Sequence, residues 1–261
     1  MKMQQGKGMA GGESMGRSKL SQIFASVLVN AVYAMQNYPV TFISTLLSPL
    51  SILIVITFVS HGTLIGVGVV GALIMAMVSS GTGLQGDLSH LKNDFKLQDM
   101  VVSSPTREAT YVFGMAISEI IYSLPAIIVL TILAAIYVHP GALQALAIIL
   151  VMCVMFAFST VLGFLLSTFT SDVIQSWAFS GIVSLILTTI PPVYYPISYI
   201  PLPYQYLAYL SPTTYGAEIA QSAMGYIHIS QLNLVADWAV LAAVIAVLFL
   251  IAYKKARWRE E

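Results

Sequence analysis

The sequence predicts an all-α integral membrane protein with six transmembrane helices. Of its 261 residues, 58% are hydrophobic and only 8% are charged, which is typical of membrane proteins and not of soluble domains. The apolar residues are gathered in six runs, each with at most one charged residue. A helical run of about 20 residues is long enough to cross a hydrocarbon core of about 30 Å.

The chain before and between these runs is organised around the membrane. Residues 1–18 are rich in Gly, Met and Ser, and we expect a flexible tail. Residues 19–37 carry apolar side chains on one helical face, which predicts an amphipathic interfacial helix or, alternatively, an extension of the first span. Residues 19–261 then form one six-span domain. Its predicted spans are residues 40–59, 64–84, 111–138, 143–169, 173–190 and 232–253.

The basic residues predict the orientation of these spans. Of the 11 Lys and Arg residues, four precede the first span, three lie in residues 86–108 and four follow the last span. With six spans these three regions share one side of the membrane, and the opposite loops contain no basic residue. Because basic loops stay in the cytoplasm, both termini and residues 86–108 are predicted to be cytoplasmic.

Residues 86–108 form the most polar stretch between two spans. Three apolar side chains lie along one edge of a predicted helix, and charged side chains surround that edge. The edge either enters a groove on a partner protein or packs under its own spans with the charges solvated. Ser104-Pro105 is a typical start for the next helix. The candidate partner-coupling residues are Leu88, Leu91, Lys92, Asp94, Phe95, Lys96, Asp99 and Arg107.

Residues 191–225 should form a re-entrant segment on the outer side, between the fifth and sixth spans. Residues 191–212 contain six prolines and six tyrosines and no charge. Repeated proline prevents a continuous helix, and tyrosine favours the boundary between lipid and water. The segment is either an outer gate or an interfacial anchor. Its candidate gate residues are Tyr195, Pro196, Tyr215 and Glu218.

Polar residues inside the spans are the other candidates for a transport pathway. Glu119 lies within the third span, where an ionised carboxylate costs several kcal/mol unless it is paired or hydrated. It is either a functional residue or the partner in a structural hydrogen bond. Ser79 and Ser80 in the second span, with Thr188 and Thr189 in the fifth, could supply the polar wall of such a pathway.

Several functional classes are not supported by the sequence. The Gly-x-x-x-x-Gly-Lys-[Ser/Thr] pattern that binds nucleotide phosphates is absent, and so are metal-ligand spacings and a hydrolase elbow. The net charge is +0, so nothing favours nucleic acid. We therefore expect no catalytic residue, no metal site and no directly bound cofactor.

Two stretches carry a resemblance to a known family. The run Val101-Val102-Ser103-Ser104-Pro105-Thr106-Arg107 is one, and Leu210-Ser211-Pro212-Thr213-Thr214-Tyr215 with Glu218 is the other. Together with Tyr195-Pro196-Ile197-Ser198, they resemble the motifs of type 2 ABC exporter permeases. The chain departs from that pattern at three positions, where relatives commonly carry Asn, a basic residue and Lys. These positions are Ser211, Gln221 and Met115.

The resemblance implies a function and a set of partners. Such a permease domain pairs with a separate ATPase subunit that uses ATP and Mg²⁺, and with a second copy or a similar permease in a dimer. Residues 86–108 would be the cytoplasmic coupling segment. The implied activity is outward movement of a hydrophobic or amphipathic substrate across the cell membrane of a prokaryote. The alternative is an ATP-independent secondary transporter or channel, although neither internal repeats nor several intramembrane charges are present.

Overall fold

The computed structural model of the chain describes residue 21 and residues 23–33, 39–93, 108–170 and 172–255. Regular secondary structure in these ranges is entirely helical, which confirms the predicted all-α class. A π-helical segment at Leu28–Tyr33 precedes the first long helix. The α-helices are α1 (Pro39–Val59), α2 (Ile65–Asn93), α3 (Glu108–Tyr137), α4 (Ala142–Ser167), α5 (Val173–Thr189), α6 (Leu202–Ala208), α7 (Pro212–Ala223) and α8 (Gln231–Lys255).

Four helices in the described part of the chain are long and apolar enough to cross a membrane. They are α2, α3, α4 and α8, with apolar stretches of 24 to 26 residues. Two shorter apolar helical stretches, Thr45–Val59 in α1 and Ile174–Thr188 in α5, accompany them. The helices coincide closely with the six predicted runs, because the same hydropathy pattern defines both.

Helix α2 is the centre of the bundle. It contacts α1, α3, α4, α5 and α7, and its most extensive contact is with α4. Of the residues in its apolar window, 83% are buried, against 11% to 28% in the windows of α3, α4 and α8. Since α2 is enclosed by other helices, its side chains contact protein. Many side chains of the outer helices face outward instead.

Small residues allow the neighbours to approach α2 closely. The position that a Cβ atom would take on Gly163 of α4 lies 2.6 Å from the carbonyl oxygen of Gly81, so the two helix backbones touch there. On Gly86 the same atom would lie 2.7 Å from the ring of Trp177 on α5. Close backbone contact of this kind is the usual basis of helix packing in lipid.

The segment between α5 and α8 folds into a 3₁₀ turn at Ile197–Tyr199 and the short helices α6 and α7. Proline occupies the first turn of α7, where its missing N–H group costs nothing, and Ser211 precedes it in extended conformation. Gly225, with φ of 77°, ends the helical region. The chain therefore forms no α-helix through the proline-rich residues 191–201, and Glu218 lies on the short helix α7.

One predicted boundary differs. We predicted that the second span ends at Leu84, but α2 continues without interruption to Asn93. No proline or helix-ending glycine follows Leu84, since Gly86 stays helical against Trp177. The predicted helix start at Ser104-Pro105, the tail at residues 1–18 and all of residues 94–107 lie outside the described residues, so these predictions stay open.

Candidate functional site

Glu119 is the first candidate residue, and it lies at the contact of α3 with α2. Its side chain is buried, with 7% of its surface exposed. The hydroxyl of Ser80 on α2 donates a hydrogen bond of 2.8 Å to the backbone carbonyl of Glu119. The two predicted pathway residues therefore meet, and their contact joins two helices.

The partner of the Glu119 side chain is a second acid. Asp87 on α2 lies within hydrogen-bonding distance of the Glu119 carboxyl group. A hydrogen bond between two carboxyl groups requires a proton on one of them. Met115, at the position where relatives carry Lys, is buried one turn before Glu119. The pairing of Asp87 with Glu119 was not predicted from the sequence. Asp87 lies one helical turn past Gly83, the small residue that Glu119 packs against.

Helix α5 is attached to the same end of α2 by hydroxyl groups. Ser180 donates to the carbonyl of Thr82 over 3.0 Å, and Ser176 donates to the carbonyl of Gln85 over 3.1 Å. The Gln85 side chain is fully buried, and neither its oxygen nor its nitrogen has a hydrogen-bond partner in the part of the chain that the structure describes. These contacts fix α5 lengthwise against α2.

The remaining predicted wall residues do not form one surface with Glu119. Thr188 is buried near the other end of α5, and its hydroxyl donates to the carbonyl of Leu185 over 3.1 Å. Thr189 is the last residue of α5. Ser79 is half-buried on α2, and its carbonyl accepts a bond of 3.0 Å from Thr82. Ser80 and Glu119 are thus brought together, whereas the two threonines lie elsewhere.

Two of the four predicted gate residues, Pro196 and Glu218, line a polar cavity of about 800 Å³. We define the polar cavity by its walls: the turn between α1 and α2, the 3₁₀ turn, α7, and the start of α8 with the residues before it. Tyr195 and Tyr215 lie nearby in the same segment, where Tyr215 donates a hydrogen bond of 2.8 Å to the carbonyl of Tyr209.

Glu218 is held by a tyrosine. Its carboxyl group is buried, with 6% exposed, and accepts a hydrogen bond of 2.9 Å from the Tyr209 hydroxyl. Burial raises the pKa of Glu218; the bond from Tyr209 lowers it, and the nearby Asp237 raises it again, so the net direction is upward. Burial and Glu218 also raise the pKa of Tyr209, which therefore remains a hydrogen-bond donor at neutral pH.

Asp237 is the cavity residue that the sequence analysis missed. It lies on α8, lines the polar cavity and has 6% of its surface exposed. Its Oδ2 atom has no hydrogen-bond partner. The available signal was the same as for Glu119, since an acid inside an apolar run marks a candidate functional residue by itself.

The coupling candidates are only partly described. Leu88 is half-buried on α2, and Leu91 and Lys92 belong to its last helical turn. Asp94, Phe95, Lys96, Asp99 and Arg107 lie outside the described residues. No group of three or more His, Cys, Asp and Glu side chains suited to a metal ion occurs among the residues that the structure describes.

Comparison with known proteins identifies the family. The model of the ABC-2 type transporter family matches residues 21–224, which covers α1 to α7 and the polar cavity except for its residues from Tyr226 onward. No curated protein matches the chain significantly. A match over most of the chain, together with the apolar spans and the motifs at residues 101–107 and 210–218, establishes that this membrane protein belongs to the ABC-2 type transporter family and is a transporter permease.

Proposed function

We propose that this chain is the membrane subunit of an ATP-driven exporter, which moves a hydrophobic or amphipathic substrate outward with ATP hydrolysed by a separate subunit. The observation that carries the proposal is the course of α2, the buried central helix. It runs unbroken for 29 residues from the core of the bundle into residues 86–93, where the coupling segment begins. Membership of the ABC-2 family supports pairing with an ATP-binding subunit.

The length of α2 gives the coupling a mechanical basis. At about 1.5 Å per residue the helix is about 43 Å long, which exceeds a hydrocarbon core of about 30 Å. Two turns or more would therefore project beyond the core at one end. A force on Leu88 and the following residues would reach α1, α3, α4 and α5, which pack on α2, because the small-residue contacts leave little room for slippage.

The proposed topology has six crossings, with both termini and residues 86–108 in the cytoplasm of a prokaryotic cell. Two observations support crossings by α1 and α5 in addition to those of the four longer helices. Helix α1 has 21 residues and α5 has 17, so each reaches about 25 to 32 Å. Each is apolar and packs along α2. The distribution of basic residues supports the orientation.

We propose that the working unit contains two permease chains, identical or similar, and two ATPase subunits. The pathway would lie between the two permeases, near α2 and α5, with Thr188 and Thr189 as wall candidates. The apolar side chains of Ile182, Leu185 and Ile186 on α5 are all exposed, which supports a contact of α5 with a second permease chain. Neither ATP nor Mg²⁺ would bind this chain itself; both would be used by the partner.

Co-purification tests the proposal. The tagged chain should bring down a separate polypeptide with a P-loop, and the complex should hydrolyse ATP. Replacing both Leu91 and Phe95 by Asp should abolish this association while membrane insertion remains normal, because the apolar edge of the coupling segment would be lost.

The matched control is Leu210→Asp, the same change at a 79% exposed position in the segment between α5 and α8. It should leave association intact. Unchanged association of the Leu91, Phe95 double variant would refute the coupling role. Solute movement by the purified chain without any ATPase would instead favour a secondary transporter or channel.

A further inference from the structure

The polar cavity has the size of a small-molecule site. Its volume of about 800 Å³ lies within the range of about 300–1,000 Å³ that is usual for ligand pockets. It is bounded by four separate parts of the chain, from Thr63 before α2 to Asn233 on α8. A cavity at the junction of several elements can be shaped by each of them, which is typical of binding sites.

The charge of the cavity wall is negative. Glu218 and Asp237 both line it, and each is more than nine-tenths buried. None of the wall residues, all of which the structure describes, is a lysine or an arginine. Apart from His228, a positive ligand would therefore meet no wall side chain that can carry a charge of its own sign.

Asp237 has a hydrogen-bonding capacity that the protein does not use. Glu218 already accepts a bond from Tyr209, whereas Oδ2 of Asp237 has no partner among the described residues. Buried polar atoms are nearly always bonded, since leaving one without a partner costs about 1–3 kcal/mol. The unbonded oxygen therefore points to a donor from outside the described residues.

The aromatic residues of the wall indicate what kind of donor fits. Tyr199, Tyr209 and Tyr226 line the same cavity, and the rings of tyrosines attract organic cations. A bare metal ion would need a compact set of ligands, and no such set exists among the described residues. An unpaired carboxylate lacks a positively charged partner and a hydrogen-bond donor. An ammonium group supplies both, through its charge and its N–H groups.

We propose that the polar cavity binds a small aromatic ammonium ion, with Asp237 as its principal counter-ion and Glu218 as a second carboxylate. The ammonium group would donate to Oδ2 of Asp237, and the apolar part of the ligand would lie against the tyrosine rings. Binding at equilibrium requires no ATP and no partner, so the proposal does not depend on the exporter function.

Two probes of similar size, one charged and one uncharged, test the proposed binding of an ammonium ion. The full chain is placed in nanodiscs of zwitterionic lipid, and isothermal titration calorimetry compares 2-(1-naphthyl)ethylammonium with the uncharged 2-(1-naphthyl)ethanol, with empty nanodiscs as the blank. The ammonium probe should bind at least tenfold more tightly than the alcohol. Equal affinity for both probes would overturn the proposal, and so would specific binding of Ca²⁺ without binding of the ammonium probe.

Variants locate the site. Asp237→Asn should weaken binding of the ammonium probe at least tenfold and leave the alcohol unchanged, and Glu218→Gln should have a smaller effect in the same direction. Ala236→Trp, which fills the cavity from its wall, should weaken binding of both probes. The matched control Asp172→Asn, at an exposed acid before α5, should change nothing. Wild-type affinity in both Asp237→Asn and Ala236→Trp would show that the probe binds elsewhere.

Discussion

Gln221 shows how a single buried amide organises the proline-rich stretch of residues 191–212. It is 1% exposed, and its Nε2 atom lies within hydrogen-bonding distance of three backbone carbonyls. The distances are 3.1 Å to Pro192, 3.4 Å to Val193 and 3.3 Å to Tyr195. Proline-rich backbone cannot form a regular helix, so its carbonyls depend on such side-chain donors.

Gln221→Leu should therefore destabilise the protein. The substitution keeps the approximate volume but removes the donor, and a buried carbonyl left without its partner costs about 1–3 kcal/mol. Thermal unfolding of the purified protein should show a lower midpoint, and hydrogen exchange should become faster at residues 193–199. The control is Gln175→Leu on the exposed face of α5, which should leave both measurements unchanged. Equal stability of the two variants would contradict the role assigned to Gln221.

The acidic residues mark the limit of prediction at this scale. Glu119 could be recognised from the sequence because a carboxyl group in an apolar run is costly. Its pairing with Asp87 could not, since the two residues are 32 positions apart and meet only through the rotation of α2 against α3. Asp237 gave the same signal in the last apolar run, but its place in the polar cavity could not be predicted, because its neighbours there come from distant parts of the chain.

Among the helices, α2 is set apart by its small residues. Gly81 is the point of closest approach to α4, where an added Cβ atom would lie 2.7 Å from the backbone nitrogen of Thr160 and would also collide with Ser159. Backbone atoms of a packed helix cannot move aside as a flexible side chain can. Helix α4 makes the most extensive contact with α2, so a change at Gly81 acts on the core of the bundle.

Gly81→Ala should lower stability, by about 1–3 kcal/mol as is usual for overpacking. The matched change Gly181→Ala on α5 meets no atom within 4 Å and should be neutral or slightly stabilising, because Ala favours a helix over Gly by about 1 kcal/mol. Thermal unfolding midpoints of the two variants provide the comparison. If Gly81→Ala were as stable as Gly181→Ala, the close contact of α2 with α4 would be incorrect.

For the whole molecule, the number of membrane crossings depends on α1 and α5. Hydropathy and length single out four helices, and the two shorter apolar helices pack alongside α2 with them. Whether α5 crosses decides the side on which the polar cavity opens, because the cavity and α8 follow it in the chain. Under the proposed topology the cavity opens on the outer side.

Cysteine labelling tests directly whether α5 crosses the membrane. The chain has one native cysteine, the exposed Cys153, which is first replaced by Ala. In that background, Ser230→Cys should react with a membrane-impermeant maleimide in intact cells, whereas Asp172→Cys should react only after permeabilisation. Only α5 crosses between these two positions, so labelling of both from the same side would show that α5 does not span the membrane.

By itself, the sequence determined the membrane class, the positions of the helices and the family. Hydropathy and proline breaks are properties of short stretches, so they can be read along the chain without knowing which helices touch. The structure decided that α2 is central, that Asp87 meets Glu119, and that Glu218 and Asp237 share one cavity. These contacts join distant residues and depend on how each helix is rotated and how closely small residues let it approach, which only packing of the complete bundle settles.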